Sequence, residues 1–206
     1  MMIPMRCMLG VDEAGRGPLA GPVAVGVAAV AEGFDVMREF PGVADSKKLS
    51  EKKREKIFEM LETRVSAGDA RFAVEFESAE TIDEEGIVAA VRRVNALADE
   101  IGHPMSQGHR MSNFHIQLDG ALRAPLEYAQ ETIINGDELV PLISLASIAA
   151  KVIRDRRMVE FSKQYPLYGF EKHKGYGTAM HYEMLKKHGF CDIHRRSFIH
   201  LDFIHT

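Results

Sequence analysis

Apolar residues recur along the chain at two spacings, and each spacing predicts a type of element. Leu9 to Val11 reads as a short buried strand, and the Val- and Ala-rich stretch Ala20 to Ala31 reads as a second. Gly15, Gly17 and Gly21 make the connection, and the pair reads as a hairpin. Phe72, Val74 and Phe76 alternate, as do Phe114, Ile116 and Leu118, and a period of two is that of a strand. Ile57, Leu61 and Val65 repeat at helical spacing, with Ser50 placed to cap the start of a helix and Gly68 to end it after about Ala67. Thr81 and Glu84 have capping-box spacing ahead of Ile87, Val91, Val94, Ala98 and Ile101, the stripe of a long amphipathic helix. His103 to Asn113 reads as an exposed loop. A short strand is expected around Thr132 to Ile134, followed by a helix opened by Leu145, Ile148, Ala149, Val152 and Ile153 and stopped near Tyr165 by Pro166. One more helix is expected from Ala179 to His188.

Strands with helices between them predict an α/β fold, a mixed sheet flanked by helices with a C-terminal helical segment. No repeat or dividing linker is present. The expectation is one domain over residues 1–206, with an α/β core to about 165 and a C-terminal segment from about 166 to 206.

Composition narrows the class. A hydrophobic share of 46% and a charged share of 27% are those of a globular protein. No apolar run approaches the ~20 residues of a membrane helix, and the first eight residues lack the apolar core of a signal peptide. Cys7 and Cys191 make no disulfide framework, so a cytoplasmic setting is expected. The net charge of −4 is unevenly spread: Lys151 to His200 carries 11 Lys+Arg against 5 Asp+Glu, which leaves 15 against 25 elsewhere. Such asymmetry predicts a basic face for a polyanion.

The candidate chemistry sits at the end of the first strand. Asp12 and Glu13 are adjacent and head the turn Ala14-Gly15-Arg16-Gly17. Like charges at contact distance need a cation, or one of them must hold a proton. A hard divalent metal suits oxygen ligands, and glycine N–H groups with a guanidinium suit a phosphate. Taken alone, such a pair is usually just an ordinary solvated loop. An acidic box of a helicase-type ATPase is excluded, because the chain holds no Gly-x-x-x-x-Gly-Lys-Ser/Thr loop. Two further acids fall in equivalent places: Asp119 ends an apolar strand and Asp137 lies in a Gly-Asp turn before a helix. Strand ends of one sheet can converge on a crevice, and four carboxylates can hold two divalent ions ~4 Å apart.

The chain resembles the type 2 ribonucleases H, and within them the bacterial ribonuclease HII family. The resemblance rests on Gly10 to Pro22, Asp45 to Glu51, Leu118 to Gly120, Gly136-Asp137, Ile143 to Asp155, His173 to Thr178 and His194 to Phe198, in order along nearly the whole chain. It implies an RNase H-like core and endonucleolytic cleavage of RNA in RNA–DNA hybrids. It also implies incision 5′ to ribonucleotides embedded in duplex DNA, leaving 5′-phosphate and 3′-hydroxyl ends. The implied metal ligands and catalytic acids are Asp12, Glu13, Asp119 and Asp137, with Asp12 shared between two Mg²⁺ or Mn²⁺ ions. Glu13 and Asp119 would complete one ion's ligands and Asp137 the other's. By the same resemblance Gly15, Arg16 and Gly17 read the ribonucleotide's 2′-hydroxyl, the group that distinguishes RNA from DNA. Tyr176 would sense the junction with DNA, Ser46 and Lys47 would contact a phosphate, and Lys151 would help hold the backbone.

A monomer is expected, and the sequence is silent on any replication-clamp partner. Two positions depart from the pattern: Leu145 replaces a small residue, and Ile199-His200-Leu201-Asp202 replaces a Pro-containing continuation. The sister ribonuclease HIII usually carries an extra N-terminal domain, for which nine residues before Gly10 leave no room. A catalytically silent hybrid-binding module is the reading of a different class, and four intact acids argue against it.

Other residues receive plainer readings. His188, Cys191 and His194 lack the paired four-ligand spacing of structural zinc. Of the six histidines from His173 onward most are expected at the surface, with His173 nearest to bound DNA. The 11 methionines read as core filler, and Lys52, Lys53 and Arg54 as the solvated face of a helix.

Overall fold

The computed structural model describes residues 7–43, 48–89, 114–120, 122–124, 126 and 128–199. Strands β1 (Cys7–Ala14), β2 (Val23–Ala31), β3 (Ala70–Glu77), β4 (Phe114–Asp119) and β5 (Ala129–Ile133) form one sheet in the order β3-β2-β1-β4-β5. β1–β2 and β2–β3 are antiparallel, and β1–β4 and β4–β5 are parallel. The helices are α1 (Val36–Glu39), α2 (Glu51–Ala67), α3 (Ala79–Glu85), α4 (Gly136–Leu139), α5 (Pro141–Gln164), α6 (Phe170–His173) and α7 (Ala179–His188), with a 3₁₀ turn at Arg196–Phe198. The mixed α/β sheet flanked by helices is the architecture that the spacing predicted.

Two apolar layers cover the sheet. On one face Leu9, Val11, Val25, Val27, Ile116 and Leu118 pack with Ile82 of α3. On the other, Ala28 and Val30 meet Ile57, Phe58 and Leu61 of α2 and Leu142, Leu145, Ala146 and Ala149 of α5. β2 is an inner strand buried on both sides, which explains its near-continuous Val and Ala. Small residues set how close α5 comes. A Cβ on Gly10 would stand 2.4 Å from the Leu142 carbonyl, and one on Gly26 2.4 Å from that of Ala146. The helix backbone therefore rests directly on β1 and β2. That contact brings the polar side of α5 over the end of β1.

Some boundaries differ from expectation for local reasons. α2 is capped as predicted: the Ser50 hydroxyl accepts from Lys53 N–H, and Gly68 ends it at φ 84°. At α3 the cap is Ser78, whose hydroxyl accepts from Thr81 N–H at 3.1 Å, so Thr81 lies inside the helix. Residues 87–89 are helical; the rest of the predicted long helix and the loop after it lie outside the described residues. α5 begins at Pro141 rather than at Leu145, because proline at the first helical position loses no hydrogen bond. α7 spans the predicted residues, with the Thr178 hydroxyl accepting from His181 N–H. Among the described residues no helix is long and apolar enough to cross a membrane.

Candidate active site

The parallel pairing of β1 with β4 brings two of the acids together. Val11 is paired with Leu118, so the next residues along the two strands are Asp12 and Asp119. Side chains alternate along a strand, so both lie on the face that carries α5, with Glu13 on the alternate side at the strand's end. A cavity of about 290 Å³ opens at this edge. Its lining includes Asp12, Glu13, Gly15 and Asp119, Ser147 and Lys151 of α5, Arg54 of α2, and Tyr176.

The carboxylates here are under electrostatic load. Asp12 is 4% exposed. Burial pushes its pKa well above the usual carboxylate range, the charges of Glu13 and Asp119 push it further, and the Ser147 hydroxyl bonded to it pulls the other way. Glu13 Oε1 accepts from Arg16 Nη1 at 2.9 Å, while its Oε2 is buried and lacks a hydrogen-bond partner among the described residues. Asp119 Oδ1 accepts from Gly136 N–H at 2.6 Å and from Asp137 N–H at 3.4 Å. Asp137, in the first turn of α4, is fully buried behind Asp119 and is not on the cavity wall. The Ser144 hydroxyl holds its carbonyl.

The donor set is all oxygen, which fits a hard divalent cation. The orphaned Glu13 oxygen and the raised Asp12 pKa are what a nearby cation relieves. Among the described residues no three His, Cys, Asp or Glu side chains form a ready metal-holding group. Asp119 and Glu13 are instead turned onto a backbone N–H and onto Arg16.

The glycine turn is built from two buried arginines that charge counting had placed on the surface. Gly15 has φ +91°, and the space of a Cβ there is taken by the Arg154 side chain, with Nε 2.0 Å away. Arg154 donates to the carbonyls of Pro22 (2.8 Å), Lys174 (3.1 Å) and Ala20 (3.3 Å). Arg195 donates to those of Gly21 and Arg16, both at 2.9 Å, and burial with the nearby Arg154 charge lowers its pKa to about 9. Backbone bonds from Leu19 N–H to Gly175 O and from Gly21 N–H to Ile193 O, each 2.8 Å, stitch the same loop to the C-terminal segment. Gly17 is exposed, and a Cβ there would meet nothing within 4 Å. Ser46 and Lys47 lie outside the described residues.

Tyr176 stands on the cavity wall with the acids, 41% exposed, with Lys151 Nζ 5.4 Å and Arg154 Cζ 5.9 Å from its ring. Three expectations are corrected. Arg54 is half-buried, donates to the Leu49 carbonyl and lines the cavity, whereas Lys52 and Lys53 are exposed as expected. His173, His181 and His194 are interior, at 8%, 0% and 3% exposure, because the C-terminal segment has a core of its own around Phe170 and Tyr168. The basic excess of residues 151–200 is partly internal: Arg154 and Arg195 are buried, and Lys151, Arg156 and Arg157 pair with Asp155, Glu55 and Glu160. Ser147 was overlooked. With Ser144, Lys151 and Arg154 it makes a polar stripe at three- and four-residue spacing on a mostly apolar helix, a pattern visible in the sequence.

A five-stranded sheet of this order, with carboxylates where β1 and β4 end side by side, defines a nuclease of the RNase H class. The family model described as Ribonuclease HII matches residues 9–201. Ribonuclease HII of Endomicrobium trichonymphae is 45% identical over 194 residues, covering 92% of this chain and 83% of that protein. Among solved structures, ribonuclease H2 from Pyrococcus horikoshii OT3 aligns with a TM-score of 0.65 at 28% identity, covering 93% of each chain. RNase HII of Archaeoglobus fulgidus, solved in complex with PCNA, aligns with a TM-score of 0.69 at 25% identity, again over 93% of each chain. The chain belongs to the ribonuclease HII family, and it is accordingly a hydrolase of the RNase H nucleases.

Proposed function

We propose that the chain is an endoribonuclease that cuts the RNA strand of RNA–DNA hybrids and incises 5′ to ribonucleotides embedded in duplex DNA. Its products carry 5′-phosphate and 3′-hydroxyl ends, and it works as a cytoplasmic monomer. One observation carries the reading. Three carboxylates, two cations, a glycine turn and an exposed aromatic ring line a single cavity.

Asp12, Glu13, Asp119 and Asp137 are the proposed ligands of two divalent ions, Mg²⁺ or Mn²⁺. When bound, these ions would acidify the attacking water and neutralise charge on the phosphate. The protein's own groups orient the substrate. The main chain of Gly15, Arg16 and Gly17, fixed from behind by Arg154 and Arg195, faces the ribonucleotide's sugar and its 2′-hydroxyl. Lys151 and Arg54 flank the acids and offer charge-assisted hydrogen bonds to backbone phosphates. Ser46 and Lys47 are proposed to extend that contact. Tyr176 presents its ring to the sugar that follows the ribonucleotide, an apolar face that suits deoxyribose.

The test is incision of a duplex that carries one ribonucleotide, in Mg²⁺, in Mn²⁺ and in chelator. Metal-dependent cutting on the 5′ side of the ribonucleotide is expected. Binding of the duplex without cutting in either metal would instead support a silent hybrid-binding module.

A further inference from the structure

His173, His181 and His194 come together from α6, α7 and the turn after Cys191, and every ring nitrogen of the three is engaged. His173 and His181 are stacked, with centroids 4.4 Å apart and planes 16° from parallel. Cys191 N–H donates to His194 Nδ1 at 2.9 Å, so that nitrogen carries a lone pair. His194 must then be protonated at Nε2, which lies 3.1 Å from His181 Nε2. Only one proton fits between those two nitrogens. His181 therefore accepts at Nε2, carries its own proton at Nδ1, and donates it to the Tyr176 carbonyl at 3.0 Å. The opposite tautomers would set two lone pairs face to face at Tyr176, and would exchange the 2.9 Å bond from Cys191 N–H for a longer one from His194 Nδ1 to the Cys191 carbonyl, 3.2 Å away. His173 holds the other side of the same turn: its Nδ1 accepts from Gly175 N–H at 3.2 Å, and its Nε2 donates to the Tyr168 carbonyl at 2.9 Å.

The far end of this chain is anchored to the glycine turn. His194 is bridged to Ala20, and Arg195 N–H donates to the Leu19 carbonyl. One unbroken path thus runs from the loop that faces the ribonucleotide, through Cys191, His194 and His181, to the residue that faces the next nucleotide.

We propose that His181 and His194 are positioning residues for Tyr176: a neutral imidazole relay of fixed direction that sets where the phenol ring stands in the cavity and so sets the preference for a ribonucleotide followed by DNA. The inference rests on the substrate role of Tyr176 proposed above. Burial supports it independently, since it lowers the pKa of both rings to about 4 and raises that of the Cys191 thiol to about 11, keeping all three neutral near pH 7.

The experiment compares His181→Phe with His181→Asn in the full-length protein. Phenylalanine fills the space without a donor, while the asparagine amide lies near the Nδ1 position and can still donate to the Tyr176 carbonyl. His181→Phe is expected to lower cleavage at a lone ribonucleotide about tenfold more than cleavage of a long hybrid, the effect of ~1.4 kcal/mol. His181→Asn is expected to restore most of that preference even where its melting temperature is lower. If the two rates fall together in both variants and track the melting temperature, the role is merely structural and the proposal is overturned. Ring ¹⁵N spectra of the unaltered protein at pH 7 should show His181 protonated at Nδ1 and His194 at Nε2. The reverse tautomers would sink the relay and leave the Tyr176 reading standing. Tyr176→Ala separates the two ideas from the other side: if it cuts both substrates normally, the substrate role of Tyr176 fails whatever the tautomers are.

Discussion

Two clusters of titratable side chains meet the same glycine turn and settle their electrostatics in opposite ways. On one side Asp12, Glu13 and Asp119 crowd a cavity with a raised pKa, a buried orphan oxygen and contacts to solvent. On the other, His173, His181 and His194 are sealed beside Phe170, held neutral, and satisfied nitrogen by nitrogen. Both clusters are costly to bury. The histidine core closes its hydrogen bonds within the protein, as buried polar groups usually do. The acid cavity does not, and a group that a fold leaves unsatisfied at a cavity wall is one that a ligand can satisfy. Perturbed titration by itself therefore does not separate function from support; the difference lies in whether the partners are already present.

The largest expected effect breaks the acid side directly. Asp12→Asn or Asp119→Asn removes a ligand oxygen's charge and nearly keeps its shape. Incision should fall about 10³-fold or more, ~4 kcal/mol of barrier, while duplex binding is largely kept. Normal turnover of Asp119→Asn in Mg²⁺ would remove that residue from the site. The matching change in the histidine core, His194→Gln, should cost far less rate and show its effect mainly in stability and substrate preference.

The next effect is a difference of sign, read as melting temperature against pH in chelator. Asp12 has its folded pKa above its unfolded value. Its contribution to stability is present below the unfolded value near 3.9 and is lost as the pH rises through the folded one. His181 and His194 have folded values lowered to about 4 against an unfolded value near 6.5. Their contribution is whole above about 6.5 and is lost as the pH falls towards 4. Asp12→Asn should therefore raise the metal-free melting temperature at pH 7. His181→Asn should flatten the acid-side loss between those two values. Saturating Mn²⁺ at about 100 times its Kd should add ~2.7 kcal/mol to the unaltered protein and much less to Asp12→Asn. If Asp12→Asn melts lower in chelator at pH 7, the carboxylates are not crowded.

A smaller effect tests the turn between the clusters. Gly15→Ala needs a left-handed backbone, at ~1–2 kcal/mol, and must also displace Arg154. Gly17→Ala meets open space and should stay within ~0.5 kcal/mol. The two glycines look alike in the sequence, and urea unfolding of both variants should separate them. Equal midpoints would mean that Arg154 does not fill the Gly15 site in solution.

What could be read in advance follows from where each answer is written. Period-two alternation placed β4, and with it Asp119 at the strand's end. Ser50 and Gly68 bounded α2 because their caps are local chemistry. Asp12 and Asp119 could be paired as candidates, but only the parallel register made them neighbours. Arg154 and Arg195 were counted into a basic face, and most of the C-terminal histidines were expected at the surface, yet both arginines and His173, His181 and His194 are interior. Their partners are carbonyls and rings up to 179 residues away, and nothing local marks an arginine whose counterpart is a backbone. Ser78 was passed over because Thr81, with Glu84 behind it, offered an equally good cap from composition alone. Resemblance supplied what the residues could not, above all a role for Tyr176. The structure adds what holds that residue in place.

The smallest effect concerns Arg54, which belongs to neither cluster and still lines the acid cavity. Its neighbours Lys52 and Lys53 point to solvent, so the three charges at the start of α2 form an internal control. The Arg54 guanidinium is steadied by the Leu49 carbonyl, which takes up one donor and leaves others for the cavity. A phosphate there would gain a contact that is partly screened by water, worth ~0.5–1 kcal/mol. Arg54→Ala should therefore raise KM about two- to fivefold with little change in kcat, and the salt dependence of binding should lose about one phosphate's worth of slope. Lys52→Ala should change neither. A fall in kcat for Arg54→Ala at unchanged KM would move this residue from binding into the chemistry of the acids. No difference between Arg54→Ala and Lys52→Ala would return it to the solvated helix face that the sequence first indicated.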